Sequence, residues 1–152
     1  MNAWQNPPKL EDKFSHEFPD DIQVIVHNGG PSLTDSLPEL VWVRVTTRIG
    51  PVFEGTVLNQ PEQLTNIKVG SVIKFLVPDG GQFPLMVTEK YLHERPNWEI
   101  HPCEQCGLTE LFDAPSDIIR AIFPNIPEGS IMEMFTSLCG ACGGKQGAHY
   151  RD

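Results

Sequence analysis

The chain has no long apolar run. Nothing in it approaches the roughly 18 consecutive apolar residues that a membrane-spanning helix needs. It also lacks an excess of positive charge: eleven lysines and arginines stand against twenty aspartates and glutamates, a formal charge of −9. The basic residues are scattered singly, with no basic patch. Such a field repels phosphate backbones, so nucleic acid is an unfavourable partner. It favours solubility and would suit a basic partner protein. Residues 1–20 lack the basic-then-apolar order of a secretory leader. No Asn-x-Ser/Thr acceptor occurs. These absences predict a reducing, cytoplasmic setting. There, paired cysteines serve as metal ligands or redox groups more often than as disulfides.

Complete catalytic motifs are also missing. There is no Gly-x-Ser-x-Gly. The run His93-Glu94-Arg95-Pro96-Asn97 begins like a zinc-protease helix, but Asn97 stands where the second histidine is required and Pro96 breaks the helix. Gly143-Gly144-Lys145 lacks the upstream glycine and the following Ser/Thr of a phosphate loop. The carboxylates show no pairing and read as solvated surface. An enzyme built on this chain would have to assemble its site from dispersed residues such as His27, His93 or Glu94, in a β unit or between units. The leading expectation is a non-enzymatic binding or adaptor protein with an unknown protein partner.

What the chain does contain is punctuation. Fourteen prolines and thirteen glycines in 152 residues exceed the average share of roughly 12% and predict short elements. Residues 1–20 read as a poorly ordered N-terminal segment, with Trp4, Phe14 and Phe18 able to dock on a core. From 21 to 97 the pattern is β. Strands are expected over 22–27, 40–48, 52–58, 72–77 and 85–88, separated by turns at Asn28-Gly29-Gly30, Ile49-Gly50-Pro51 and Asp79-Gly80-Gly81. Val41, Val43 and Val45 share one face of their strand, opposite Trp42, Arg44 and Thr46. Phe53, Gly55 and Val57 share another, as do Ile73, Phe75 and Val77. Gly55 inside a strand predicts a bulge or bend. Tyr91–Trp98 reads as a connector broken by Pro96.

All four cysteines lie beyond residue 100, so residues 98–152 form a second expected unit. The pairs read Cys103-Glu-Gln-Cys106-Gly107 and Cys139-Gly-Ala-Cys142-Gly143. Two intervening residues let a tight turn aim both sulfurs at one point, and the following glycine permits the positive φ that closes it. Two such turns face to face give a tetrahedron of sulfurs about a metal at roughly 2.3 Å from each. Two helices are expected between the pairs. The first is capped by Asp113, carries Pro115 in its first turn and an apolar stripe of Ile118, Ile119, Ile122 and Phe123, and is stopped by Pro124. The second starts at a Ser130–Glu133 capping box and presents Ile131, Met134, Phe135 and Leu138 on one face. His101 and His149 could replace a cysteine as ligand; a supporting or exposed role is the favoured reading.

The two cysteine pairs, across 101–145, resemble the zinc-ribbon and zinc-knuckle families. They differ in a 32-residue gap (107–138), against the usual 15–20. The expected metal ligands are Cys103, Cys106, Cys139 and Cys142, holding one structural zinc, with iron the less favoured ion. Four thiolates close the coordination sphere and leave no position for substrate. A second resemblance runs from Leu40-Val-Trp42-Val-Arg44-Val through Phe53-Glu-Gly55-Thr-Val-Leu-Asn59-Gln-Pro61 to Ile67-Lys-Val-Gly70-Ser-Val-Ile-Lys-Phe75. This is similar to an uncharacterised bacterial domain family of the YegJ type, with Ser71 where that family more usually has Asp. It implies a small β fold and no activity. The expected fold is α+β: a small antiparallel β-sheet or partly open barrel packed on a zinc-stapled two-helix unit.

Overall fold

The structure, a computed structural model, describes residues 13–80, 83–127 and 132–151. It is α+β and divides into two units. The first takes residues 1–27, 37–77 and 82–86; the second takes 28–36, 78–81 and 87–152.

The first unit carries a barrel of β1 (Asp21–Val26), β2 (Glu39–Ile49), β3 (Val52–Val57), β4 (Val72–Leu76) and β5 (Leu85–Val87). The barrel is closed in the order β1-β2-β3-β4-β5, not partly open as expected. Strands β1 to β4 pair antiparallel, while β1 meets β5 in parallel at Ile25 and Leu85. A meander with an odd number of strands ends in the direction in which it began, so its closing seam must be parallel. That seam is short, and a side chain reinforces it. Just past β1, the buried His27 Nε2 lies 2.8 Å from the Met86 carbonyl and donates to it. Burial pushes the His27 imidazole down to about 4, with the Met86 bond working the other way.

The alternation read from the sequence holds. Val41, Val43, Val45, Phe53, Val57, Ile73 and Phe75 are buried in one core, with Val77 packed against it. Each such side chain contributes on the order of 1.5–3 kcal/mol. Phe53 and Phe75 pair across strands with their rings stacked at 5.2 Å. At Gly50 the φ of 59° supplies the first central residue of a two-residue hairpin. The register of β2 on β3 shifts between Val45 and Thr47, so Thr46 is an extra, bulged residue. It lies beside Gly55, where a Cβ would stand 2.6 Å from both the Arg44 carbonyl oxygen and a Val43 methyl. Trp42 lies on the outer face, 38% exposed.

The second unit contains α1 (Glu89–Glu94), a 3-10 turn (Arg95–Asn97), β6 (Trp98–Ile100), α2 (Pro115–Ile122), β7 (Met134–Leu138) and β8 (Lys145–Tyr150). The sheet order is β6-β8-β7, antiparallel throughout. This corrects the expected two-helix insertion. The segment read as a connector begins with α1, capped by the Thr88 hydroxyl accepting from the Tyr91 N–H. Pro96 ends that helix; it does not prevent it. Helix α2 lies where expected, with Pro115 in its first turn, but Asp113 is not its cap. Of the expected stripe only Ile118 is buried. The helix expected from Ile131 to Leu138 is a strand over its described part. Phe135 and Ser137 are buried while Met134, Thr136 and Leu138 are exposed, the period of two that a strand gives. Ser130 and Ile131, half of the expected capping box, lie outside the described residues; the Glu133 carbonyl accepts from the Tyr150 N–H.

Candidate metal centre

The first cysteine pair follows β6 and the second joins β7 to β8. Both turns are built by the same hydrogen bonds. Gly107 N–H donates to the Cys103 carbonyl at 2.9 Å, as Gly143 N–H does to Cys139 at 2.8 Å. Each first cysteine donates its own N–H to the residue five further on, Cys103 to Leu108 and Cys139 to Gly144. Gly107 and Gly143 share a φ of 80°, which β-carbon-bearing residues rarely adopt.

These turns bring all four sulfurs together. Cys103 Sγ lies 3.4 Å from Cys142 Sγ, and Cys106 Sγ lies 3.7 Å from Cys139 Sγ. All four lie within 4.8 Å of one another. A tetrahedron with metal–sulfur bonds of 2.3 Å has edges of about 3.8 Å, so the set fits one ion. Backbone N–H groups point at the sulfurs: Gln105 at Cys103, Ala141 at Cys139 and Gly144 at Cys142, each at 3.4 Å. Such donors spread the negative charge of a thiolate and fix its direction. Against the desolvation of its surroundings, the N–H groups of Cys106 and Gln105 hold the Cys103 thiol down to about 6. Burial pushes Cys139 up to about 12 and also raises Cys106. Without a cation, the Cys103 thiolate forms readily and those of Cys106 and Cys139 are opposed. A dication held by the four sulfurs would remove that opposition.

Gly144 keeps the centre open. A Cβ there would stand 2.6 Å from Gln105 Cβ and 3.0 Å from Cys103 Sγ. Gly140 gives equivalent room to the Phe112 ring. Behind the turns lies a buried polar lattice. Glu110 accepts from the Tyr91 hydroxyl at 2.5 Å and from Arg95 through two bonds of 2.6 Å. Burial, then the Glu110 charge, pushes the Tyr91 phenol well above its ordinary value. The Gln146 amide donates to the carbonyls of Leu108, His101 and Glu110, tying β8 to the first cysteine turn. Asp113 accepts from the Gly30 N–H at 2.7 Å and so anchors the 28–36 loop.

His101 and His149 stand outside the sulfur cluster. They are bonded to each other, Nε2 to Nδ1, at 2.7 Å. Of the dispersed residues considered for catalysis, His27 is committed to the barrel seam. Glu94 accepts from the N–H and hydroxyl of Ser116 at the start of α2. Sequence reasoning missed the Tyr91–Glu110–Arg95 cluster. Its signal was faint: a tyrosine and an arginine four apart, with the glutamate far along the chain.

Compared with known proteins, the chain matches no family model, no curated protein and no solved structure. The likeness of residues 40–77 to the YegJ type therefore gains no support there. Among the described residues, no helix is long and apolar enough to cross a membrane.

Proposed function

We propose that the chain is a non-enzymatic binding or adaptor protein whose second unit is stapled by one structural zinc ion, with Cys103, Cys106, Cys139 and Cys142 as its ligands. The observation that carries this is the convergence of four sulfurs within 4.8 Å. A zinc ion here would tie the ends of β6, β7 and β8 at a single point. Its coupled binding and folding free energy, on the order of 10 kcal/mol, is large for a small sheet with short strands. Four thiolates fill the coordination sphere, so the ion has no open position for a water or substrate. The commitment of His27 and Glu94 to structural bonds supports the binding reading over the enzymatic one. The acidity of the chain weighs against nucleic acid. Free thiols held for a metal suit a reducing, cytoplasmic setting.

Two measurements test the proposal. The purified protein should carry zinc and should turn over none of a broad panel of esters, phosphates and peptides. A defined kcat on any of them, abolished by one side-chain change that spares folding, would replace the adaptor reading with an enzyme.

A further inference from the structure

Among the described residues, strand β7 is an edge that nothing blunts. It pairs with β8 on one side only. The ladder bonds that bracket it, Tyr150 N–H to Glu133 and Cys139 N–H to Gly144, set the alternation. Phe135 and Ser137 face β8 with their backbone groups, and Met134, Thr136 and Leu138 turn theirs away. Those outward groups have no partner among the described residues. The three side chains are exposed as well, Met134 at 66% and Leu138 at 52%. Proteins protect such edges with lysine, proline, bulges or very short strands. Met134-Phe-Thr-Ser-Leu138 has no charge and no proline, and its register on β8 is continuous. The opposite edge, β6, is three residues long and opens on the buried Trp98.

We propose that β7 is a docking edge, at which an extended, basic segment of a partner protein adds as a fourth strand. This rests on the binding-protein reading above and names the surface and the kind of partner. Backbone bonds to Met134, Thr136 and Leu138 would supply the register, and alternate apolar residues of the partner would cover the Met134 and Leu138 side chains. Charge selects the occupant. The second unit holds twelve of the twenty acidic residues and five of the eleven basic ones, and a four-thiolate zinc centre adds a further net negative charge. The exposed Glu133 stands at the head of the strand and the exposed Lys145, paired with Leu138, at its foot, so the negative charge is that of the unit as a whole. A second copy of the chain would bring the same negative field to the edge, whereas a lysine- or arginine-bearing strand meets an opposite one.

Hydrogen exchange on the whole 152-residue chain, metal-loaded, tests this, with a seven-residue peptide alternating lysine and valine as probe and a glutamate–valine counterpart as control. The basic peptide should slow exchange at 134, 136 and 138 by about tenfold or more at low salt, and the acidic one should not. Thr136→Pro removes an outward N–H while leaving the ladder to β8 intact. It should abolish protection with metal content unchanged. Thr136→Glu, which keeps the backbone donor and adds negative charge beside it, should strengthen it. Equal protection by both peptides, or none by either, overturns the proposal. So does protection that appears with protein concentration alone, which would mark a second copy as the occupant. Protection confined to another strand would overturn the edge and leave the binding reading standing.

Discussion

Gly144 stands so near Cys103 that a single added methyl would lie 3.0 Å from its sulfur and 2.6 Å from Gln105 Cβ. The room for a metal therefore depends on a residue that is not a ligand. Gly144→Ala should push the two cysteine turns apart and lower zinc affinity by tenfold or more, in the range seen when groups supporting a metal's ligands are altered. Competition with a chromophoric chelator measures this. Gly143→Ala is a useful contrast, because nothing lies within 4 Å of its added Cβ and only the φ of 80° opposes it. It should cost on the order of 1 kcal/mol.

The barrel should lose stability in mild acid through His27. Its imidazole protonates near 4 when folded and near 6.5 when unfolded. Above that window neither state is charged there. As the pH falls through it, the unfolded chain binds a proton that the folded one refuses, so stability drops. Between pH 7 and 5 the expected loss is about 2 kcal/mol. Urea unfolding of wild type and His27→Gln at both pH values isolates it, since acid effects on the thiols are common to both proteins and cancel in the difference.

Tyr91→Phe should destabilise the second unit by about 1–3 kcal/mol. It removes the donor to Glu110 and leaves the Leu111 N–H, now bonded to the Tyr91 oxygen at 3.0 Å, without its acceptor. Arg95→Ala should cost more, about 3–5 kcal/mol less a discount for the partial exposure of the arginine, because it strands a buried carboxylate. Chemical denaturation of the metal-loaded protein reads both.

Gly55→Ala should destabilise the barrel by roughly 2 kcal/mol or more, since its Cβ would meet backbone on the neighbouring strand. Thermal unfolding should show the shift with metal content unaltered.

These residues also show what the sequence made legible. The barrel strands could be read because valine and phenylalanine alternate with polar residues, and because Gly50 and Gly55 mark the hairpin and the bulge. The cysteine turns were legible because each is a local motif. Strand β7 was not. Met134, Phe135 and Leu138 suit a helical face as well as a strand, and the pairing that decides between them comes from β8. Strand β8 itself, with Lys145-Gln146 set between two glycines and little apolar pattern, gives almost no local signal. Helix α1 was hidden by Pro96, which stands two residues past its end, in the 3-10 turn that follows. The closure of the barrel rests on one parallel contact between β1 and β5, a long-range event that no local pattern encodes.

The metal centre stands or falls on whether one ion sits among the four sulfurs. Native mass spectrometry with elemental analysis and thiol titration decides it on the purified protein. The expected result is one zinc per chain, no visible iron–thiolate absorption, and thiols that react only after a chelator or denaturant is added. A folded, metal-free protein with four freely reacting thiols, or with its cysteines joined as disulfides, would contradict it.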